Sequence, residues 1–181
     1  MKKSIVISGY GGQGIILAGN ILCKSAILEN KIATFFPSYG AEVRGGAAKC
    51  QVIISDEYIG SPIIDKIDIF LCFSKLALDK FYSKVNNGGH IFINSTLFND
   101  DENVIRTDIK KIEVEANLVA EKLGNKLSAN MVMLGALVKQ TNILKKESLI
   151  QVISETLSGK SQKLVDLNLS AFLQGYESIK K

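Results

Sequence analysis

The feature that most narrows what this chain can fold into is Gly9-Tyr10-Gly11-Gly12-Gln13-Gly14, set between the β-branched run Ser4 to Ser8 and an apolar segment from Ile15 to about Leu28. Branched side chains favour extended backbone, whereas Ile15, Ala18, Leu22 and Ala26 recur at helical spacing, with Asn20 and Lys24 on the polar stripe. The reading is a strand, a tight turn and a helix lying against a sheet. A Gly-x-Gly-x-x-Gly turn in that setting exposes N–H groups that can receive a phosphate or the polar groups of another subunit. A dinucleotide site also needs an Asp or Glu about 20 residues on to hold the ribose. Here the second strand ends Thr34-Phe35-Phe36-Pro37-Ser38 with no carboxylate, which disfavours NAD. A plainer use stays open, in which the glycines only let helix and strand pack closely.

Further strands are expected at Ile32 to Phe36, Lys49 to Ser55 and Ile67 to Cys72, the last apolar enough to be covered on both faces. A helix follows from about Lys75 to Val85, ended by Asn86-Asn87-Gly88-Gly89. Ile91 to Asn94 and Val104 to Thr107 read as strands, and the remainder as helices. These run from Val114 to Leu123 with Gly124 as cap, from Asn130 to about Lys139 with Ser128 as N-cap, from Lys146 to Leu157, and from Lys163 to Ile179. Met131 to Leu137 is apolar on every side, which places that helix in the core or against a partner. Strands alternating with helices imply right-handed crossovers. The expected architecture is a three-layer α/β fold: a mostly parallel sheet, a Rossmann-like glycine loop after the first strand, and a helical C-terminal third, as one domain over residues 1–181. Its site belongs at the carboxyl ends of the strands.

Composition bounds the function. A chain of 181 residues with 46% hydrophobic and 22% charged side chains is one globular domain and not a disordered or disulfide-scaffold chain. The longest apolar stretch, Met131 to Val138, is far shorter than the roughly 20 residues that cross a bilayer. The start lacks a secretory signal's apolar segment, so a cytoplasmic location is expected. A net charge of +4, spread along the chain, is too mild for a nucleic-acid-binding stripe. Cys23, Cys50 and Cys72 lie in apolar runs with no Cys-x-x-Cys pair, and read as reduced core residues. Three thiols cannot supply a four-thiolate iron–sulfur cluster. The single histidine, His90, is expected to be structural, and no metal site is expected.

A second loop, Pro37-Ser38-Tyr39-Gly40-Ala41-Glu42-Val43-Arg44-Gly45-Gly46, combines a stiff entry, an aromatic, two opposite charges and three glycines. In extended backbone Glu42 and Arg44 would point to one side and could pair, and Gly45-Gly46 would let another backbone or a ligand approach. Because both loops follow successive strands of one sheet, they are expected at the same edge, as a shared interface or ligand-binding surface.

Taken with Ile53-Ile54-Ser55-Asp56-Glu57 and the helix bearing Leu134-Gly135-Ala136-Leu137, these motifs resemble, in order and over essentially the whole chain, the gamma subunit of 2-oxoacid:ferredoxin oxidoreductases. The form Ser-Tyr-Gly-x-Glu-x-Arg-Gly-Gly is most similar to the 2-oxoglutarate type. Ala41, where proline is common, departs from the pattern without removing a polar group. The resemblance implies a multisubunit enzyme converting a 2-oxoacid and coenzyme A into an acyl-CoA, carbon dioxide and reduced acceptor. Thiamine diphosphate, magnesium and iron–sulfur clusters would sit on partner subunits, alpha, beta and a ferredoxin-like delta, with ferredoxin or flavodoxin as acceptor. This chain would carry no catalytic residue. Gly9, Gly11, Gly12, Gln13, Gly14, Ser38, Tyr39, Gly40, Glu42, Arg44, Gly45 and Gly46 become its interface or coenzyme A-binding candidates. Pyruvate, branched-chain or indolepyruvate versions, and a stand-alone nucleotide-binding protein, stay open as alternatives.

Overall fold

The computed structural model describes residues 1–40, 46–97 and 106–180. Six strands, β1 (Lys2–Tyr10), β2 (Ile32–Tyr39), β3 (Ala47–Ser55), β4 (Ile67–Cys72), β5 (Val85–Asn94) and β6 (Lys110–Val114), form one sheet in the order β2-β3-β1-β4-β5-β6. β1, β4, β5 and β6 pair in parallel, whereas β3 pairs antiparallel with both β1 and β2. Five strands therefore point one way and β3 alone is reversed: the sheet is mostly parallel, as expected, and mixed through that one strand. This reversal decides the site: β1 and β2 end, and β3 begins, at the same edge.

Six helices complete the fold: α1 (Ile15–Leu28), α2 (Lys75–Phe81), α3 (Ala116–Lys122), α4 (Ala129–Thr141), α5 (Lys146–Leu157) and α6 (Gln162–Ser178). One face of the sheet, carrying Ile5, Ile7, Val52, Ile54, Leu71 and Phe92, packs under α1 and the four C-terminal helices. The other, carrying Val6, Phe70, Cys72, Ile91 and Ile93, is covered by α2 and its flanking turns. The three layers are thus unequal. As its composition requires, α4 is buried from Ala129 to Val138. It crosses α6 where Gly135 and Gly175 meet: a Cβ on Gly135 would strike the Phe172 carbonyl, and one on Gly175 the Val132 carbonyl. α5 and α6 pack on the chain's own helices α1 and α4. Among the described residues no helix is long and apolar enough to cross a membrane.

Four sequence expectations are corrected. Asn86-Asn87-Gly88-Gly89 does not end a helix: α2 stops at Phe81, a single 3-10 turn follows, and the Asn/Gly stretch lies inside β5. The β4–β5 register jumps there, from Ile67 opposite Val85 to Ile69 opposite His90, and Gly88 adopts φ +73°. Turn-forming residues here make a bulge. Val104 and Ile105 lie outside the described residues, but Arg106 and Thr107 are not strand; the last strand is Lys110–Val114, so its helix starts at Ala116, not Val114. Ser128 does stand at the N-cap of α4, yet its hydroxyl donates to the Asn125 carbonyl (2.7 Å) instead of capping.

β2 is an edge of the sheet. The Gly40 N–H donates to the Ala47 carbonyl (2.7 Å), and the register runs without slip to Ile32 opposite Ser55. By antiparallel alternation Ser38, Phe36, Thr34 and Ile32 turn their backbone groups to β3, and Ala33, Phe35, Pro37 and Tyr39 turn theirs outward. Pro37 sits where its missing N–H costs no ladder bond.

Candidate functional site at the carboxyl ends of the strands

The two glycine-bearing loops meet. The Gly11 N–H donates to the Gly46 carbonyl (2.9 Å), continuing the β1–β3 ladder beyond its last pair. Gly12 has φ +91° and no neighbour within 4 Å, a turn tip only glycine enters without strain. Gly14 (φ +71°) precedes α1, and its carbonyl accepts from the buried Asn130 side chain (3.0 Å) at the start of α4. Asn130 Oδ1 in turn accepts the Met131 N–H (3.0 Å). This asparagine locks loop, α1 and α4 together.

Gln13 has a role that spacing alone does not reveal. The Phe73 N–H, just past β4, donates to the Ser8 carbonyl (2.9 Å). In a parallel ladder the next rung would run from the Tyr10 N–H to the Phe73 carbonyl. Instead the Gln13 amide is inserted between them: its Oε1 accepts from Tyr10 N–H (2.6 Å) and its Nε2 donates to Phe73 O (3.2 Å). The side chain acts as a strand fragment where β1 and β4 part. Gly9 is required beneath it, because a Cβ there would overlap Gln13 Oε1 and lie 2.6 Å from Phe73 Cβ.

Beside the loops lies a cleft of about 200 Å³, lined by residues of β1, β2, β3 and α2, among them Ser38, Tyr39, Gly40, Lys49 and Lys80. Two ammonium groups lie over one ring, Lys49 Nζ at 5.8 Å and Lys80 Nζ at 5.7 Å from the Phe81 centroid. Burial, then the charges of Lys80 and Lys84, hold Lys49 below its ordinary pKa. Large apolar side chains are exposed around this end: Tyr39 (68%), Leu76 (53%) and Leu127 (73%), with Tyr10 and Leu97 less so. Leu127 lies three residues before Asn130, and Leu97 donates its N–H to Asn94 O at the end of β5.

Of the residues singled out in the sequence, Gly9, Gly11, Gly12, Gln13, Gly14, Ser38, Tyr39, Gly40 and Gly46 gather at this edge, while Glu42, Arg44 and Gly45, with the Glu42–Arg44 pairing, lie outside the described residues. Lys49, Lys80 and Asn130 were not singled out. Only the pairing of distant segments brings them here, although the lone polar Asn130 heading an apolar helix was a readable signal. The loop fits a dinucleotide poorly. The N–H groups of Tyr10, Gly11 and Gln13 are spent internally, and β2 ends without a carboxylate. An iron–sulfur cluster fits no better: Cys72 lies in the core on one face of the sheet, Cys23 and Cys50 in that on the other. Burial, reinforced by Cys23, pushes the Cys50 thiol up to about 12, so it stays protonated. Among the described residues no three His, Cys, Asp or Glu side chains group to hold a metal. His90 sits toward the opposite end of the strands, beside Lys110 and against Phe92.

Known proteins match this chain from end to end. The 2-oxoglutarate synthase subunit KorC of Methanocaldococcus jannaschii is 42% identical, over 100% of this chain and 96% of its own. The gamma subunit of a keto/oxoacid ferredoxin oxidoreductase from Geobacter sulfurreducens superposes with a TM-score of 0.80 at 34% identity, covering 97% of this chain and 96% of that one. The 2-oxoglutarate:ferredoxin oxidoreductase of Magnetococcus marinus, solved with 2-oxoglutarate, coenzyme A and succinyl-CoA bound, superposes with a TM-score of 0.90 at 26% identity over 99% of this chain, which matches 32% of the longer one. The pyruvate ferredoxin/flavodoxin oxidoreductase family model matches residues 4–178, and this chain belongs to that family.

Proposed function

We propose that this chain is the gamma subunit of a multisubunit 2-oxoglutarate:ferredoxin oxidoreductase, which converts 2-oxoglutarate, coenzyme A and oxidised acceptor into succinyl-CoA, carbon dioxide and reduced acceptor. The observation that carries the reading is the end-to-end 42% identity to a 2-oxoglutarate synthase subunit. Thiamine diphosphate with its magnesium would do the carbon chemistry on alpha and beta subunits, and iron–sulfur clusters there and on a delta subunit would pass electrons to ferredoxin or flavodoxin. The complex would work in the cytoplasm.

This chain's part would be assembly. The joined loops, held rigid by Gln13 and Asn130 and ringed by exposed Tyr39, Leu76 and Leu127, have the character of an interface core: aromatic and aliphatic side chains on a fixed frame. Glu42, Arg44 and Gly45 would complete it. Coenzyme A handling at the same loops is a second reading, favoured by the first turn of α1, which has no side-chain cap, at the glycine turn.

The test is gentle affinity purification of the chain from its native cell, with mass spectrometry of partners and a dye-reduction assay dependent on 2-oxoacid and coenzyme A. Co-elution of large thiamine- and cluster-bearing subunits, with 2-oxoglutarate preferred, is the expected result. Preference for pyruvate, a branched-chain oxoacid or indolepyruvate would reassign the substrate. Recovery as a lone nucleotide-binding protein would overturn the reading. Arg44→Ala should weaken assembly or turnover and leave the isolated fold intact; unchanged assembly and turnover would remove Arg44 from the site.

A further inference from the structure

The cleft beside the glycine loops holds charge that no carboxylate among the described residues lining it balances. Lys49 and Lys80 line it, Lys84 adds its field, and among the described residues no Asp or Glu lines it. Lys75, on the same helix, is already paired with Asp79 at 2.9 Å, and Lys80 has no such ion pair among the described residues. Like charges set this close cost free energy unless an anion joins them.

The groups lining the cleft indicate the kind of anion. A phosphate cradle is built from converging backbone N–H groups. Here two of those donors are committed: Gly40 N–H to Ala47 O and Ala77 N–H to Ser74 Oγ. The Ser8 hydroxyl donates to Ala48 O (3.1 Å). The charged groups it offers are two ammonium groups on flexible stems, against an aromatic ring and beside the Ser38 hydroxyl and the exposed Tyr39 and Leu76. Lysines present point charges with rotatable donors, which a carboxylate can meet without the fixed fork that a guanidinium offers. Apolar walls suit the stems and backbone of a peptide.

We propose that this cleft receives an acidic segment of a partner subunit, an Asp or Glu carboxylate seated between Lys49 and Lys80 with the flanking peptide against Tyr39 and Leu76. The inference rests on the assembly role proposed above, and gives that interface an electrostatic register. Seating the carboxylate neutralises the repulsion between the lysines, so the free chain carries a charge strain that assembly relieves. Charge complementarity of this kind chooses partner and orientation more than it adds raw affinity.

The experiment uses the complex purified through a tag on this chain. A carbodiimide, which joins amine to carboxylate with no spacer, is expected to link Lys49 or Lys80 to an Asp or Glu of another subunit, read by mass spectrometry. Reductive methylation should label both lysines in the isolated chain and several-fold less in the complex. Lys49→Gln with Lys80→Gln should abolish the link and lower the salt concentration at which the complex dissociates at least two-fold, while the isolated variant, freed of the repulsion between the lysines, melts no lower than the parent chain. Equal labelling in both states would overturn the proposal. So would protection without a link together with unchanged salt resistance. Protection of the isolated chain by coenzyme A or inorganic phosphate would make the cleft a phosphate site instead. If no complex is recovered at all, the assembly role itself fails, a result distinct from a complex whose lysines stay free.

Discussion

Replacing Gln13 by alanine removes both bonds that span the gap between β1 and β4. The Tyr10 N–H and the Phe73 carbonyl each have their described partner in that one amide, at 2.6 and 3.2 Å. A net intramolecular hydrogen bond is worth about 0.5–1.5 kcal/mol, so losing two lowers the local opening free energy by about 1–3 kcal/mol. At about 1.4 kcal/mol per factor of ten, the Tyr10 amide should exchange its hydrogen some 5- to 150-fold faster, read by native-state hydrogen exchange. Water can reach this edge, which places the expectation near the lower end. The buried amides of Ile5 and Ile7, on the same strand, should keep their rates. Gln13→Glu separates the two halves of the bridge: a carboxylate still accepts from Tyr10 but puts an acceptor against the Phe73 carbonyl. It should speed exchange without reaching the alanine rate. If the Tyr10 amide exchanged at the same rate in all three proteins, the amide bridge would hold nothing, and the rigid platform drawn from it would have to be abandoned.

The α4–α6 crossing supplies a second expectation. Gly135→Ala sets a methyl against backbone that cannot rotate away. Overpacking of about 1–3 kcal/mol exceeds the roughly 1 kcal/mol that alanine gains in a helix, so the melting temperature should fall by several degrees. Gly159→Ala, which meets no neighbour within 4 Å, should leave it unchanged; equal effects would refute the packing argument. For His90, burial and then the charges of Lys110 and Lys3 hold the pKa below the ordinary 6.5. The unfolded chain therefore binds the proton first, and the contribution is whole above about 6.5 and declines as pH falls below it. His90→Gln should flatten the drop in melting temperature between about pH 7 and pH 5, and an unaltered slope would remove His90 as its source. At the glycine turn, Gly12→Val strains a φ of +91° and should weaken partner binding; unaltered partner binding and activity would remove that turn from the interface.

The elements the sequence names to the residue are those whose reason is local. Ile67–Cys72 is buried on both faces and Lys146–Leu157 alternates at helical period, and both lie where their patterns put them. Asn86–Gly89 misleads because its turn chemistry is real, while the contact that uses it, Gly88 N–H to Asp108 O at 2.6 Å, comes from a distant segment. Lys110–Val114 alternates Lys-Lys-Ile-Glu-Val over only five residues at an edge, too short and charged to stand out from a loop. The reversal of β3 is invisible locally, since direction follows from which strands pair. The site divides in the same way. Its glycines announce themselves because positive φ and crowding leave no other choice, whereas Lys49 and Lys80, 31 positions apart, are ordinary lysines until the sheet and α2 bring them to one ring.

The free edge of the sheet carries its own safeguard. β2 is eight residues long and apart from Ser38 and Thr34 is apolar, without one charge to repel a neighbouring molecule. Such an edge is a template for adding strands from other copies. Pro37 interrupts it: outward N–H groups at Ala33, Phe35 and Tyr39 are broken by a residue that has none, so an incoming strand finds its row of donors severed near the middle. The ring that stiffens the entry to the second loop thus also makes this edge a poor template for strand addition by another copy.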